Sequence, residues 1–300
     1  MTERTRRRFL GGLASLPLLS TAPLARAGRG PGETSLPAKI RLSCNFYTFD
    51  DPLQAKAMTL EEALDLCAEI GFDAVDLTGY YFPGYPEAPP DTYLFETKRR
   101  VFRLGLEVSG TGVRNDFTRA DTGGRAADVS LVKRWVEVAA RLGAPVLRVF
   151  AGRGVPEGHT REEVEGWVIA CLEECVAYGE QHGVMIVLQN HHDVFKTADE
   201  VIAIRKRVPS EWLGLNADIG SVRTGDPYAE VAALAPWAYT WQIKEQVYRR
   251  GVEEDVDLRR VFGILRDAGY RGYAPLEILG PGDPRPRIRR FFAEARTALG

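Results

Sequence analysis

Val187-Leu188-Gln189-Asn190-His191-His192-Asp193 closes an apolar run that begins at Val184. The stretch breaks into amide, imidazole and carboxylate side chains just before a helical pattern opens at Thr197. A short apolar run of this kind reads as a strand buried on both faces. Two of the chain's four histidines stand in it side by side. A buried strand that delivers such groups at its C-terminal end is how a closed strand–helix barrel builds an active site. The remaining sequence must then supply matching strands.

Seven further apolar runs have strand length: residues 40–46, 73–77, 107–112 and 145–150 before the quoted stretch, and 212–217, 239–244 and 273–278 after it. Helical patterns separate them, over residues 59–70, 91–104, 128–142, 160–182, 197–208, 227–234, 258–268 and 286–299. Thr59 with Glu62, and Thr197 with Glu200, have the spacing of capping boxes. Gly71, Gly143, Gly183 and Gly269 follow helical patterns as stop signals. Eight strand–helix units in succession predict an α/β fold with a parallel sheet, closed as a single-domain (β/α)8 TIM barrel over residues 39–300. An open dinucleotide-binding sheet would carry a Gly-rich turn after its first strand. Tyr47-Thr48-Phe49-Asp50-Asp51-Pro52 stands there instead.

The N-terminus has a different character. Thr5-Arg6-Arg7-Arg8-Phe9-Leu10 is a twin-arginine pattern, followed by a mildly apolar stretch and then Ala25-Arg26-Ala27. Residues 1–27 are therefore expected to be a twin-arginine export signal, with a Gly/Pro-rich linker over 28–38. The expected location is periplasmic or exported. The apolar stretch is shorter than the roughly 20 residues a spanning helix needs, so no stable membrane anchor is expected. Residues 1–27 hold five arginines and one glutamate, a net +4, so the rest carries −6 of the chain's total of −2. An acidic body argues against a nucleic-acid partner. Cys44, Cys67, Cys171 and Cys175 form no CxxC pair and read as small core residues.

Strand ends gather polar residues that an apolar barrel interior would not choose. These are Asp76, Arg148, Gln189 with His191 beyond it on the same parity, Asp218, Gln242, Lys244 with Glu245 beyond, and Glu277. Asn115 follows the third strand in Arg114-Asn115-Asp116. Gln189, Asp218, Gln242 and Glu277 would offer four oxygens to one hard divalent cation: Mn²⁺, Mg²⁺ or Ca²⁺. Tyr80, Tyr81, Phe82 and Tyr85, in the loop after the second strand, suit a carbohydrate platform.

The chain from residue 40 onward resembles the xylose isomerase-like TIM-barrel superfamily, whose members are often labelled sugar phosphate isomerase/epimerase. Gln189-Asn190-His191 is similar to its strand-five Glu-Asn-His, and Asp218-Ile219-Gly220-Ser221 to its Asp-x-Gly-His. Gln242-Ile243-Lys244-Glu245 is similar to its His-x-Lys-Asp, and Glu277 to its strand-eight glutamate. Ser109-Gly110-Thr111-Gly112 and Arg148-Val149-Phe150-Ala151-Gly152 also resemble family segments. The resemblance implies a metal site at Gln189, Asp218, Gln242 and Glu277, and a sugar substrate. It also marks a departure, because glutamine stands where the family has a metal-binding glutamate and histidine.

Gln189 cannot exchange a proton at neutral pH, which disfavours a symmetric two-glutamate epimerisation. Glu277 is then the expected base and Lys244 the stabiliser of a developing oxyanion. His191 is the expected second proton carrier, since imidazole titrates near neutrality. Arg148, Asp76, Asn115, Glu245 and His192 are the expected substrate contacts. The expected activity is a sugar isomerase/epimerase-like reaction on a free or oxidised sugar, by proton abstraction beside a carbonyl. One alternative is a lyase or hydratase acting on 3-keto-glycosides. Another is a non-catalytic carbohydrate-binding relative with a degenerate metal site. An abasic-site endonuclease, which shares the fold, needs a histidine-rich zinc site and a basic face that this chain lacks.

Overall fold

The computed structural model describes residues 36–191 and 194–300. The expected export signal, most of the expected linker, and His192 therefore lie outside the described residues.

The elements run β1 (Lys39–Asn45), α1 (Asp50–Gln54), α2 (Leu60–Ile70), β2 (Ala74–Thr78), α3 (Asp91–Arg103), β3 (Glu107–Gly112), α4 (Thr122–Leu142) and β4 (Val146–Phe150). They continue with α5 (Arg161–His182), β5 (Met185–Gln189), α6 (Ala198–Arg207), β6 (Leu213–Asp218), α7 (Pro227–Leu234) and β7 (Ala238–Lys244). A short pair, β8 (Gln246–Arg249) and β9 (Val252–Asp255), precedes α8 (Leu258–Asp267), β10 (Arg271–Glu277) and α9 (Pro284–Leu299).

Eight of these strands close into one barrel in the order β1-β10-β7-β6-β5-β4-β3-β2. All eight pairings are parallel, and β1 shuts the barrel against β10 with Leu42 opposite Ala274 and Cys44 opposite Leu276. This is the (β/α)8 barrel expected from the alternation of patterns. Val187 pairs with Gly214 and Gln189 with Asn216, so β5 hands its polar end to the same rim as β6. The core lies mainly between barrel and helices, where Trp135, Phe262, Phe291 and Leu64 are fully buried. The four cysteines are buried in it, as small apolar residues would be.

Local chemistry sets the element ends. Thr59, Thr160 and Thr197 each accept the N–H of the glutamate three residues on, and that glutamate caps the threonine N–H in return. The sequence pattern started α4 at residue 128, but the helix begins at Thr122. There Asp121 accepts from the N–H groups of Gly123 and Gly124 and carries the helix through two glycines. The β8–β9 hairpin is an excursion that period-counting missed. Its antiparallel pair joins the C-terminal end of β7 to α8. Among the described residues no helix is long and apolar enough to cross a membrane.

Candidate active site

The C-terminal rim of the barrel encloses a cavity of about 830 Å³, within the size range of small-molecule sites. Its floor is built by β4, β5, β7 and β10 through Arg148, Gln189, Gln242, Lys244 and Glu277.

Asp218, fully buried at the end of β6, is the hub. Its Oδ2 accepts from Lys244 Nζ at 2.9 Å, Ser221 Oγ at 2.8 Å and Gln189 Nε2 at 2.8 Å. Its Oδ1 accepts from the Gly220 N–H at 3.0 Å. Burial works to raise its pKa, but the ammonium of Lys244 and these donors hold it below the ordinary aspartate value. Asn190 fixes the backbone behind it: its Oδ1 accepts the Asp218 N–H at 2.7 Å and its Nδ2 donates to the Asp218 carbonyl at 2.9 Å.

Gln189 spends both amide hydrogens inward, on Asp218 and on Gln242 Oε1 at 2.6 Å. A carboxylate only accepts, so Asp218 dictates which end of the amide faces it. Gln189 Oε1 is left buried without a hydrogen-bond partner among the described residues. Lys244 Nζ lies 3.5 Å from Glu277 Oε1 as well, and so bridges two carboxylates. Burial would lower the pKa of this lysine, but Asp218 and Glu277 raise it, and the side chain is a fixed ammonium. Burial raises Glu277, with Asp218 adding to the effect and Lys244 and Arg148 opposing it.

Arg148 is buried on the adjacent wall. It donates to the Val113 carbonyl at 2.8 Å and to the Tyr80 hydroxyl at 2.7 Å. Gly112 makes room for it, because a Cβ there would lie 2.7 Å from the guanidinium. Asp76 stands behind this wall, bonded to Asn45 Nδ2 at 3.0 Å. Burial pushes its pKa up to about 6, against the pull of Arg148 and the Asn45 hydrogen bond.

The rim thus brings together Gln189, Asp218, Gln242, Lys244, Glu277 and Arg148. His191 lines the cavity from an exposed position beyond β5, its ring edge-to-face with Phe150 at 5.0 Å between ring centroids. The other expected contacts are placed differently. Glu245 is held by Arg287 at 2.5 Å and Arg290 at 3.1 Å, tying β7 to α9; it does not itself line the cavity, although Arg287 does. Asp76 is sealed under the wall. Asn115 borders the cavity, but its amide is committed to the Phe150 backbone, donating at 2.7 Å and accepting at 2.9 Å. Of the loop aromatics only Tyr80 lines the cavity. Phe82 and Tyr85 pack on Trp135, and Tyr81 bonds Asp50. The sequence reading missed Ser221, Tyr47 and Thr48. The residues after Asp218 were matched only to a family motif, and the first strand's loop only served to discount a dinucleotide site.

The expected cation site can be tested on these donors. Metal ligands must aim lone pairs at a common point. Here Gln189 aims N–H groups at Asp218 and Gln242, and an ammonium stands between the two carboxylates. As arranged, the set does not fit a divalent cation. Among the described residues no cluster of three or more histidine, cysteine, aspartate or glutamate side chains has a metal-holding arrangement either.

The sequence model for the xylose isomerase-like TIM barrel matches residues 64–295. The chain belongs to that family. It is 27% identical over 239 residues to the C-glycoside deglycosidase alpha subunit of Arthrobacter globiformis, a match covering 76% of this chain. The chain spans only 56% of that protein's length. Its fold is similar to that of 3-keto-D-glucoside 4-epimerase from E. coli, with a TM-score of 0.69 at 15% identity over 87% of this chain and 99% of that one. It is also similar to a xylose isomerase-like TIM barrel protein from Mycobacterium smegmatis in complex with magnesium, with a TM-score of 0.64 at 18% identity over 89% and 98% of the two chains. Likeness at these identities speaks for the fold.

Proposed function

We propose that this member of the family is a sugar-directed enzyme that removes a proton beside a carbonyl of a free or oxidised sugar. The observation that carries this reading is the Glu277–Lys244 pair on the cavity floor, backed by the buried Asp218. Glu277 takes the proton, and the electron pair of the broken C–H bond moves into a new C–C double bond. Lys244 donates a hydrogen bond to the carbonyl oxygen as negative charge collects on it. Asp218 holds the ammonium in place and keeps it charged. Gln189 Oε1, buried with its amide hydrogens already committed, accepts a sugar hydroxyl. The enediolate so formed leads to isomerisation or epimerisation if a proton returns.

A second outcome of the same step is β-elimination from a 3-keto-glycoside. The similarity to a C-glycoside deglycosidase subunit favours it; in this reading His191, which lines the cavity, protonates the leaving group. The arginine pair near the N-terminus supports an exported site of action.

The test is deuterium exchange. The purified protein is incubated in D₂O with ketoses and with 3-keto-glycosides, and C–H exchange is followed by NMR. Exchange at the carbon beside the carbonyl is expected. It should fall by at least about a hundredfold in Glu277→Gln, the usual scale for losing a general base. Tight sugar binding without exchange would sink the enzyme and leave a carbohydrate-binding protein.

A further inference from the structure

We propose that Lys244 is the resident cation of this site, that its ammonium stands where a divalent ion would otherwise bridge Asp218 and Glu277, and that the protein works without a metal. The placement of the lysine is fixed on every side. Lys244 is rooted on β7, its side chain is 12% exposed, and Nζ reaches Asp218 at 2.9 Å and Glu277 at 3.5 Å. Gly220 clears its path, since a Cβ at that position would lie 2.7 Å from Lys244 Cδ.

The surrounding donors agree with an ammonium and not with an ion. A carboxylate offers about four lone-pair sites. On Asp218, Oδ2 already accepts from Lys244, Ser221 and Gln189, and Oδ1 accepts from the Gly220 N–H. A metal ion standing in the place of Nζ would have to displace the lysine from this crowded Oδ2 and would find Gln189 turned the wrong way. Turning that amide over would place its oxygen 2.8 Å from Asp218 Oδ2, acceptor against acceptor. Charge points the same way. The site carries two carboxylates, one ammonium and the buried guanidinium of Arg148, which sum to no net charge, so no surplus negative charge is left to attract a dication.

The ammonium also supplies what the proposed reaction needs from an electrophile. It has three N–H donors; Asp218 and Glu277 engage two, and the third is left for a substrate oxygen. That role rests on the reaction proposed above. The exclusion of metal does not, and its test needs no substrate.

The full-length protein, stripped with EDTA, is titrated with MnCl₂ alone. Free Mn²⁺ is counted by electron paramagnetic resonance, and melting temperature is followed in parallel. The wild type is expected to bind no stoichiometric Mn²⁺ in the micromolar range and to melt at an unchanged temperature. Lys244→Met leaves Asp218 and Glu277 without their cation. It is expected to bind Mn²⁺ at least about tenfold more tightly than the wild type and to be stabilised by it. Lys244→Gln, which keeps a neutral hydrogen-bonding chain, serves if the methionine variant does not fold. One Mn²⁺ per wild-type chain at micromolar affinity would overturn the proposal. So would a folded variant whose Mn²⁺ affinity is no better than that of the wild type.

Discussion

Buried charge in this barrel is handled in two ways, and Asp76 and Asp218 show the difference. Asp218 sits beside an ammonium and three further donors and stays ionised. Asp76, on the other side of the cavity wall, has one amide donor from Asn45 and a more distant guanidinium, and its pKa rises from 3.8 to about 6. The consequence is a stability term with a definite sign. Between about pH 4 and 6 the folded state holds a proton on Asp76 that the unfolded chain has released. The contribution is therefore complete below about pH 4 and is lost as pH rises through 6. A shift of this size corresponds to on the order of 3 kcal/mol. Asp76→Asn, which keeps the shape without the charge, is expected to be less stable than the wild type relative to its value at pH 7, as pH falls to 4. Urea unfolding at pH 4, 5, 6 and 7 on both proteins measures that difference, and parallel curves would show that Asp76 titrates normally.

At the scale of elements, the parts written in local chemistry were legible. Strand β3 and helix α7 fall where the patterns placed them, and the other barrel strands within one or two residues. The capping boxes at Thr59 and Thr197 form as their spacing implied, and Thr160 with Glu163 adds a third. Such a cap contributes about 1 kcal/mol. Thr160→Ala is accordingly expected to lower the unfolding free energy by roughly that amount, with turnover unchanged, as denaturant titration would show. What could not be read was direction beyond the strand ends. Period two places Glu245 on the opposite parity from Lys244, but only the packing of α9 supplies Arg287 and Arg290 to hold it there. In the same way, Gln189 and Gln242 were legible as facing residues. Which amide end each presents depends on Asp218, a neighbour 29 residues away from Gln189 in the chain. The expected cation set departs from its residue types at this step: they offer four oxygens, and as arranged hydrogen bonding turns the Gln189 amide so that it donates to Asp218 and Gln242.

Across the whole molecule the two ends of the barrel hold their charges differently, and the proposed function predicts that they divide stability from chemistry. The N-terminal end is fastened by Arg41 of β1, which reaches Glu107 of β3 at 2.9 Å and stacks over Tyr273 of β10 at 4.0 Å, while the Tyr273 hydroxyl donates to Glu107. This clasp spans the β1–β10 seam that closes the barrel. Glu107 is 58% exposed at its side chain, so water screens the pair and its contribution is small, roughly 1 kcal/mol or less. At the other end Asp218, Lys244 and Glu277 are buried at the cavity floor, where removing one partner strands a buried charge. Glu107→Gln is thus expected to lower the melting temperature by only about 2 °C and to leave carbon–deuterium exchange intact. Lys244→Met should abolish exchange while circular dichroism still reports the barrel. Measuring melting temperature and exchange on both variants checks the division. Loss of exchange in Glu107→Gln at an unchanged melting temperature would mean that the seam transmits its geometry to the rim, and that the two ends do not act separately.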